Sequence, residues 1–262
     1  FNILHRRMNS LCIAWLNFLF CSKIETMNKI KPSPVVKPQI LAKVDLFENL
    51  SIEDLEKLSK SAKTVELMKD DILFLQGDPA NKIYLLLHGN IKLVQTHHDG
   101  QQIVIRVAGP VEMLGALALG RVDSYPASAY AMSTCNVAYW TKDTLLDHIQ
   151  RMPLLAANTM HFMAERIQLM QDRFRLIATQ KVEQRLAHTL VNLMATSGKP
   201  IDEGILINVA LSRQELAEMI GTTLYTVSRL LKQWENNRVV KCGRERIVIT
   251  NRPALENIRD ME

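Results

Sequence analysis

Residues 211–240 read LSRQELAEMIGTTLYTVSRLLKQWENNRVV, and this stretch decides the fold of the C-terminal part of the chain. Ser212 and Glu215 have the spacing of a capping box, which predicts a helix that begins at Arg213. Gly221 tolerates the positive φ of a tight turn between two helices. The predicted buried face of the second helix consists of Val227, Leu230, Leu231 and Trp234. Two helices joined by a glycine-containing turn predict a helix-turn-helix.

The opposite face of the second helix carries residues that we predict to bind DNA. A recognition helix reads bases with its N-terminal residues, and an arginine can donate to both O6 and N7 of guanine. We therefore predict that Arg229 makes the direct base contact, and that hydroxyl groups and amides at the helix starts meet phosphates. The full set of predicted DNA-binding residues is Arg229, Ser228, Tyr225, Thr223, Thr222, Ser212, Lys232 and Arg244.

A pair of β-rich segments after Asn237 predicts a wing beside the two helices. The segments are residues 239–241 and 246–250, and the turn between them carries Arg244. A wing next to a helix-turn-helix is a common companion in DNA-binding domains. We therefore predict a winged helix-turn-helix domain over residues 181–262.

The segments upstream of the helix-turn-helix are helical. Residues 182–196 have helical periodicity and stop at residues 197–200 (SGKP), because glycine followed by proline ends helices. Pro153 opens a longer helix, in which apolar residues recur at alternating spacings of four and three from Ala156 onward. A seam this narrow on a polar helix favours a two-helix coiled coil and therefore a homodimer, the alternative being one helix packed against its own domain. The predicted interface of this dimerisation helix, residues 151–180, is Met160, Met163, Ile167, Met170, Phe174 and Ile177.

Short β-rich runs separated by turn signals occupy the region from about residue 63 to about residue 140. The runs are residues 72–75, 83–87, 91–94, 103–107 and 137–140. Strands at this spacing with glycine at the corners predict an antiparallel β-roll or jelly roll over residues 40–150. A cupin-like metal enzyme is one alternative, although no His-x-His occurs. A cyclic-nucleotide-binding adaptor without DNA activity is another, against which the helix-turn-helix argues.

Charge and cysteine usage narrow the function classes less than these motifs do. The formal net charge of the 262 residues is +5, but the excess lies in residues 1–43 and says little about nucleic acid. The four cysteines, Cys12, Cys21, Cys135 and Cys242, include no Cys-x-x-Cys pair, which predicts a reducing cytoplasm.

The N-terminal segment is predicted to take no part in the fold. Residues 1–39 are expected to be a disordered tail, and residues 1–26 are expected to be non-native in part. The apolar stretch at residues 11–21 is too short to span a bilayer, so no membrane partner is expected. The sequence thus predicts an α+β regulator with a β-roll sensor, a coiled-coil dimerisation helix and a winged helix-turn-helix, and not an enzyme.

The order of these parts over residues 40–258 resembles the Crp/Fnr superfamily of bacterial transcription regulators. FLQGDPANKIYLLLHGNIKLVQ is similar to the β-roll of that family, and VEQRLAHTLVNLM to the first helix of its DNA-binding domain. The resemblance implies a homodimer on a pseudo-palindromic site in double-stranded DNA, an effector in the β-roll, and RNA polymerase as a partner. Ser228 and Arg229 match the Fnr branch, whereas Leu224 and Tyr225 stand where members carry Arg or Glu.

The resemblance also bears on the effector. Members that bind cyclic AMP hold its ribose with a Gly-Glu dipeptide and its phosphate with an Arg before Ser or Ala. Here Ala116 follows Gly115, and no Arg stands at Tyr125 or Pro126. Because a buried phosphate without a cation is costly, cyclic AMP is not the expected effector. The predicted effector pocket consists of Gly115, Ala116, Tyr125 and Ser128.

Two metal-containing sensors are weighed on the same resemblance. An iron–sulfur cluster of the Fnr branch needs closely spaced N-terminal cysteines, which are missing, although Cys135 falls at the β-roll position. Residues 125–129 (YPASA) resemble members that respond to nitric oxide or redox state, some of which bind haem. Candidate axial ligands are His88, His97, His98 and His161. Each has an alternative interpretation, because His97 and His98 lie in a predicted solvated hairpin turn, His88 precedes a glycine turn, and His161 lies beside the apolar seam. The sequence alone assigns no cofactor.

Overall fold

The computed structural model describes residues 36–120 and 122–261. The hypotheses about residues 1–26 and most of the predicted tail fall outside the described residues. Val36, which the sequence analysis placed in the tail, is buried in the first hydrophobic core, and its carbonyl accepts a hydrogen bond from the Ser59 hydroxyl. The ordered sensor domain therefore includes residues ahead of position 40.

Within the described residues, the sensor domain contains eight strands in two antiparallel sheets. The strands are Lys63–Leu67 (β1), Ile72–Phe74 (β2), Lys82–His88 (β3), Ile91–Thr96 (β4), Gln102–Ala108 (β5), Met113–Leu114 (β6), Ser128–Ala131 (β7) and Cys135–Thr141 (β8). One sheet has the order β1-β8-β3-β6 and the other has the order β2-β7-β4-β5. Buried residues of both sheets form one core, which is the predicted β-roll.

Three helices cover the ends of this roll: Pro38–Leu41 (α1), Ile52–Ser61 (α2) and Lys142–Arg151 (α3). The Ser51 hydroxyl caps α2 by accepting from the Asp54 N–H at 3.1 Å. Trp140 on β8 is 1% exposed, and its indole N–H donates to the Leu58 carbonyl of α2 at 2.9 Å. This single side chain therefore joins the helical cover to the sheet.

A 27-residue helix, Pro153–Thr179 (α4), follows the roll and begins at the predicted proline. Leu155 and Phe162 near its start are buried in the first core. Most of the remaining residues of α4 are half-buried or exposed. The first turns of the helix are thus packed into the core of the roll.

The C-terminal domain is built around a second core. Its elements are Val182–Ser197 (α5), Gly198–Ile201 (β9), Gly204–Ile207 (β10), Arg213–Ile220 (α6), Leu224–Asn236 (α7), Val240–Gly243 (β11), Arg246–Ile249 (β12) and Arg252–Arg259 (α8). Its antiparallel sheet has the order β11-β12-β10-β9. The two strands of the predicted wing are present, with bounds within two residues of the predicted ones, but β9 and β10 were not predicted. The combination of helices and antiparallel sheets confirms the α+β class.

Gly198 is needed where α5 turns directly into β9, and the reason differs from the one that the sequence suggests. Its φ is −70°, so no left-handed conformation is required. A Cβ at this position would instead lie 2.2 Å from the Met194 carbonyl oxygen. The turn therefore depends on a close backbone approach.

In the described residues, no helix is long and apolar enough to cross a membrane.

We predict that Gly198→Ala destabilises the protein by about 1–3 kcal/mol, because the added methyl overlaps backbone that cannot move freely. Urea denaturation followed by circular dichroism measures the change. Gly109→Ala is the matched control, since the nearest atom to its added Cβ, the Thr196 carbonyl oxygen, is 3.4 Å away. Equal stability of the Gly198→Ala protein and the control would contradict the close-approach explanation.

Candidate nucleic-acid interface

The first helix of the helix-turn-helix begins and ends as the sequence predicts. The Ser212 hydroxyl accepts from the Glu215 N–H at 3.1 Å, and the Glu215 carboxylate accepts from the Ser212 N–H at 2.9 Å. This reciprocal pair is the predicted capping box. At the other end of α6, Gly221 takes a φ of +65° and starts the turn.

The second helix, α7, is fixed by one buried face. Val227, Leu230, Leu231 and Trp234 are each at most 5% exposed. The Trp234 indole N–H donates to the Glu183 carboxylate of α5 at 2.9 Å. At the helix start, the Thr223 hydroxyl accepts from the Thr226 N–H at 3.2 Å and so caps the helix. Because this face is buried, the opposite face of α7 lies on the surface.

The outward face of α7 carries the residues predicted to read bases. Tyr225 is 77% exposed, and Arg229 is exposed. Arg229 makes no hydrogen bond or ion pair with any residue that the structure describes. Lys232 is exposed but pairs with Glu235, with 3.0 Å between its Nζ and Oε2. Ser228 is half-buried. Of the two cationic side chains on this face, Arg229 is therefore the one without an ion-pair partner among the described residues.

The hydroxyl groups predicted to meet phosphates are in part already used. The Ser212 hydroxyl donates to the Glu215 carboxylate at 2.8 Å, so its one hydrogen is not available to a phosphate. The Thr223 hydroxyl lies 3.0 Å from that of Thr226 and can give its hydrogen either there or to a ligand. Thr222 is half-buried, and its N–H donates to the Ala217 carbonyl. The Thr223 hydroxyl is consequently freer than the Ser212 hydroxyl to donate to a ligand.

A cleft of about 510 Å³ separates the wing from the starts of α6 and α7. Arg244, the predicted wing residue, lines it and is exposed. Arg213 and Arg246 also line it, and neither was predicted from the sequence to bind DNA. All three guanidinium groups are exposed, against one carboxylate from Glu245. Alternating charges along the hairpin were the signal that could have pointed to Arg246. The cleft therefore has a cationic rim suited to a phosphate backbone.

In the β-roll, the predicted effector residues are already engaged with other parts of the protein. The Tyr125 hydroxyl donates to the Lys82 carbonyl at 2.7 Å and accepts from the Lys82 N–H at 3.1 Å. Its ring stacks on that of Phe74, with 4.1 Å between centroids. A Cβ on Gly115 would lie 3.1 Å from the Tyr125 ring, so this ring fills the space beside Gly115. Ser128 is buried and its hydroxyl accepts from the Gln76 N–H at 2.9 Å.

The residues considered for haem or redox chemistry do not converge on a site. His88 and His161 are both exposed, and His161 pairs with Glu165, with 3.3 Å between its Nε2 and Oε1. Neither histidine lies inside the roll, so they do not fit an enclosed haem. Cys135 is buried, and its burial raises the pKa of its thiol. Within the described residues, no group of three or more His, Cys, Asp or Glu side chains could hold a metal ion.

The predicted seam of α4 is open in a single chain. Met160, Ile167, Met170, Phe174 and Ile177 are between 51% and 77% exposed. Met163 differs from them, because it is half-buried and packs against the first core. Five large apolar side chains along one line of a helix form a surface that water does not favour.

Helix α6 is held against the sensor domain at both of its ends. Near its N-terminus, Lys92 of β4 contacts Glu215, with 2.6 Å between Nζ and Oε1. Near its C-terminus, the Arg173 guanidinium of α4 donates to the carbonyls of Met219 and Val104, each at 3.2 Å. Between these points α6 packs on β5. We call Lys92, Glu215 and Arg173 the α6 clamp.

Two domain families match the chain, one over most of the β-roll and one over most of the C-terminal domain. The Crp-like helix-turn-helix domain matches residues 184–258, which contain α6, α7 and the wing. The cyclic nucleotide-binding domain matches residues 64–152, which contain nearly all of the β-roll and α3.

Relatives with similar sequences cover most of the chain. It is 28% identical over 186 residues to the cyclic AMP receptor protein of Thermus thermophilus, covering 71% of this chain and 83% of that protein. It is 27% identical over 216 residues to the transcriptional activator protein anr of Pseudomonas aeruginosa, and the match covers 82% of this chain and 88% of that protein. The fold is similar to that of FixK2 from Bradyrhizobium japonicum, with a TM-score of 0.67 at 22% sequence identity. The match covers 77% of this chain and 98% of the FixK2 chain.

The Pseudomonas relative is a transcriptional activator, and the homologues of this chain are regulators and not enzymes. The cupin-like alternative is therefore wrong. The match to a Crp-like helix-turn-helix also removes the alternative of an adaptor without a DNA-binding domain.

We predict that Lys92→Met loosens α6 and destabilises the protein by about 1–3 kcal/mol at pH 7, because it leaves a largely buried carboxylate without its cation. Burial raises the pKa of Glu215, but hydrogen bonds from Lys92 and Ser212 outweigh it, so the pKa of the folded protein lies below the ordinary value. The stabilisation is thus complete above about pH 4.5 and is lost as the pH falls through the lowered pKa. Urea denaturation at several pH values measures both effects.

The control for this prediction is Lys57→Met, which removes the same charge from an exposed pair with Asp54. Hydrogen exchange should increase in α6 and β5 only in the Lys92→Met protein. A Lys92→Met protein with unchanged exchange in α6, or with a destabilisation that does not shrink in acid, would show that the clamp contributes nothing.

Proposed function

Because this chain belongs to the Crp/Fnr family of DNA-binding transcription regulators, we propose that it binds a pseudo-palindromic operator as a homodimer and reads each half-site with Arg229. One observation carries the proposal: the Arg229 guanidinium is exposed and has no partner among the described residues, on a helix whose other face is buried. An arginine in this position can make two hydrogen bonds to the major-groove edge of a guanine.

The open seam of α4 supports the homodimer. Two copies of α4 packed along this seam would bury Met160, Ile167, Met170, Phe174 and Ile177 against their symmetry mates. Such a two-fold arrangement presents two copies of α7. On B-DNA, two recognition helices are placed one helical turn apart, which is roughly 34 Å or 10–10.5 base pairs. The operator proposed here therefore contains two inverted half-sites at that spacing.

The arginines of the wing cleft support the same placement of DNA. Arg213, Arg244 and Arg246 flank the start of α7 on the side of the wing. Phosphate contacts from exposed guanidinium groups orient a protein on the duplex without reading its sequence. In this arrangement Thr223 and the N-terminal amides of α7 also face the backbone. Arg229 then supplies the sequence-dependent contact.

The effector proposed for the β-roll is not cyclic AMP. Ala116 stands where a carboxylate would hold the ribose, and Tyr125 occupies the space beside Gly115. The hydroxyl groups of Tyr125 and Ser128 already make hydrogen bonds within the protein. A phosphate that entered there would have to break these hydrogen bonds. A nitric-oxide or redox signal stays a prediction of the family resemblance.

The proposal that the chain is a transcription regulator also includes a contact of the bound dimer with RNA polymerase and action in the cytoplasm.

We predict that Arg229→Ala weakens specific binding by about 1–3 kcal/mol per half-site and removes the preference for guanine at one position. The operator is first selected from a random duplex library with the unaltered protein, and affinities are then measured by fluorescence anisotropy at fixed salt. Arg151→Ala serves as the control, because it removes an exposed guanidinium from α3, outside the helix-turn-helix. An Arg229→Ala protein that keeps the full guanine preference would refute the reading role.

We predict that Ile167→Glu converts the dimer to monomers, since it places a carboxylate in the middle of the apolar seam. Sedimentation velocity measures the oligomeric state, and the operator titration should show a concurrent loss of affinity. Gln168→Glu introduces the same charge at an exposed neighbouring position off the seam and should remain dimeric. A dimeric Ile167→Glu protein would mean that the chains associate elsewhere.

A further inference from the structure

An exposed leucine opens the helix that faces DNA. Leu224 is the first residue of α7 and is 47% exposed, and Tyr225 beside it is 77% exposed. Both lie in the first helical turn, ahead of Arg229. The free energy falls when another apolar group covers apolar side chains that are otherwise exposed to water at this point. A bound duplex could supply such an apolar group.

Leu224 lines the same cleft as the three arginines. Arg213, Arg244 and Arg246 attract the phosphates of a duplex to the rim of this cleft. A duplex held there brings its base edges towards the first turn of α7, since recognition helices enter the major groove by their N-terminal residues. Leu224 therefore comes to lie among base edges and not over open solvent.

The major groove offers one apolar group on its base edges. That group is the C5-methyl of thymine, whereas guanine, cytosine and adenine present hydrogen-bond donors and acceptors. We propose that Leu224 packs against a thymine C5-methyl in each half-site and so selects thymine at that position. This inference rests on the proposed function, because it requires α7 to lie in the major groove.

The spacing along α7 places this thymine relative to the guanine. Leu224 and Arg229 are five residues apart, which is roughly 7.5 Å along the helix axis. Successive base pairs rise by about 3.4 Å, so at any angle between α7 and the duplex axis the two helix positions are at most about two to three base-pair steps apart. The thymine therefore lies within a few base pairs of the guanine that Arg229 reads. The half-site thus contains a methyl-dependent position and a guanine close together.

Deoxyuridine tests the contact at the level of one methyl group. Uracil pairs as thymine does and lacks only the C5-methyl. Each thymine near the guanine of the selected operator is replaced by deoxyuridine in both half-sites, one symmetric position at a time. The affinities of the unaltered, Leu224→Ala and Arg229→Ala proteins are then measured on every duplex. Leu224 is exposed and alanine favours helix, so Leu224→Ala should fold, which circular dichroism checks.

At one position, we expect uracil to lower the affinity of the unaltered protein about fourfold per half-site, the effect of one buried methyl group. The Leu224→Ala protein should be insensitive to that replacement, while the Arg229→Ala protein should remain sensitive to it. This pattern isolates the contact between one side chain and one methyl.

Other outcomes overturn the inference in distinguishable ways. Equal uracil effects in the unaltered and Leu224→Ala proteins would assign the methyl to another residue. If no uracil replacement matters, or if the operator has no thymine near the guanine, the Leu224 contact is refuted. The Arg229-dependent guanine preference would then leave the proposed function standing. If the unaltered protein selects no operator at all, the proposed function and this inference fail together.

Discussion

The burial of one face of α7 is the constraint on which the rest of the interface depends. Val227, Leu231 and Trp234 are almost completely removed from solvent. Successive residues of a helix are about 100° apart, so a rotation by one residue would bring this face towards water and cost several kcal/mol of apolar burial. The direction of Arg229 and of its neighbours on the outward face follows from that burial.

Helix α6 connects this face to the rest of the chain. It is joined to α7 by the single turn at Gly221, and the α6 clamp and β5 hold it against the β-roll. A displacement of β4 and β5 must therefore either carry α6 along or break these contacts. Because Arg173 belongs to the helix that bears the open seam, the sensor, the proposed dimer helix and the DNA-facing helix meet around α6.

Local patterns in the sequence predicted the local parts of this arrangement. The capping box of Ser212 and Glu215, the turn at Gly221 and the buried face of α7 depend on residues a few positions apart, and all are confirmed. The Lys92–Glu215 contact joins residues 123 positions apart, and no local spacing encodes it. Short strands such as β6, and the filling of the effector pocket by Tyr125, likewise depend on which distant segments pair.

The central claim is that a guanidinium of α7 meets the major-groove edge of a guanine. Methylation interference with dimethyl sulfate tests it most directly, because a methyl on guanine N7 blocks the atom that Arg229 is proposed to contact. We expect methylation of one guanine in each half-site to exclude a duplex from the bound fraction. Recovery of duplexes methylated at every guanine of both half-sites, with undiminished affinity, would contradict this assignment of the interface.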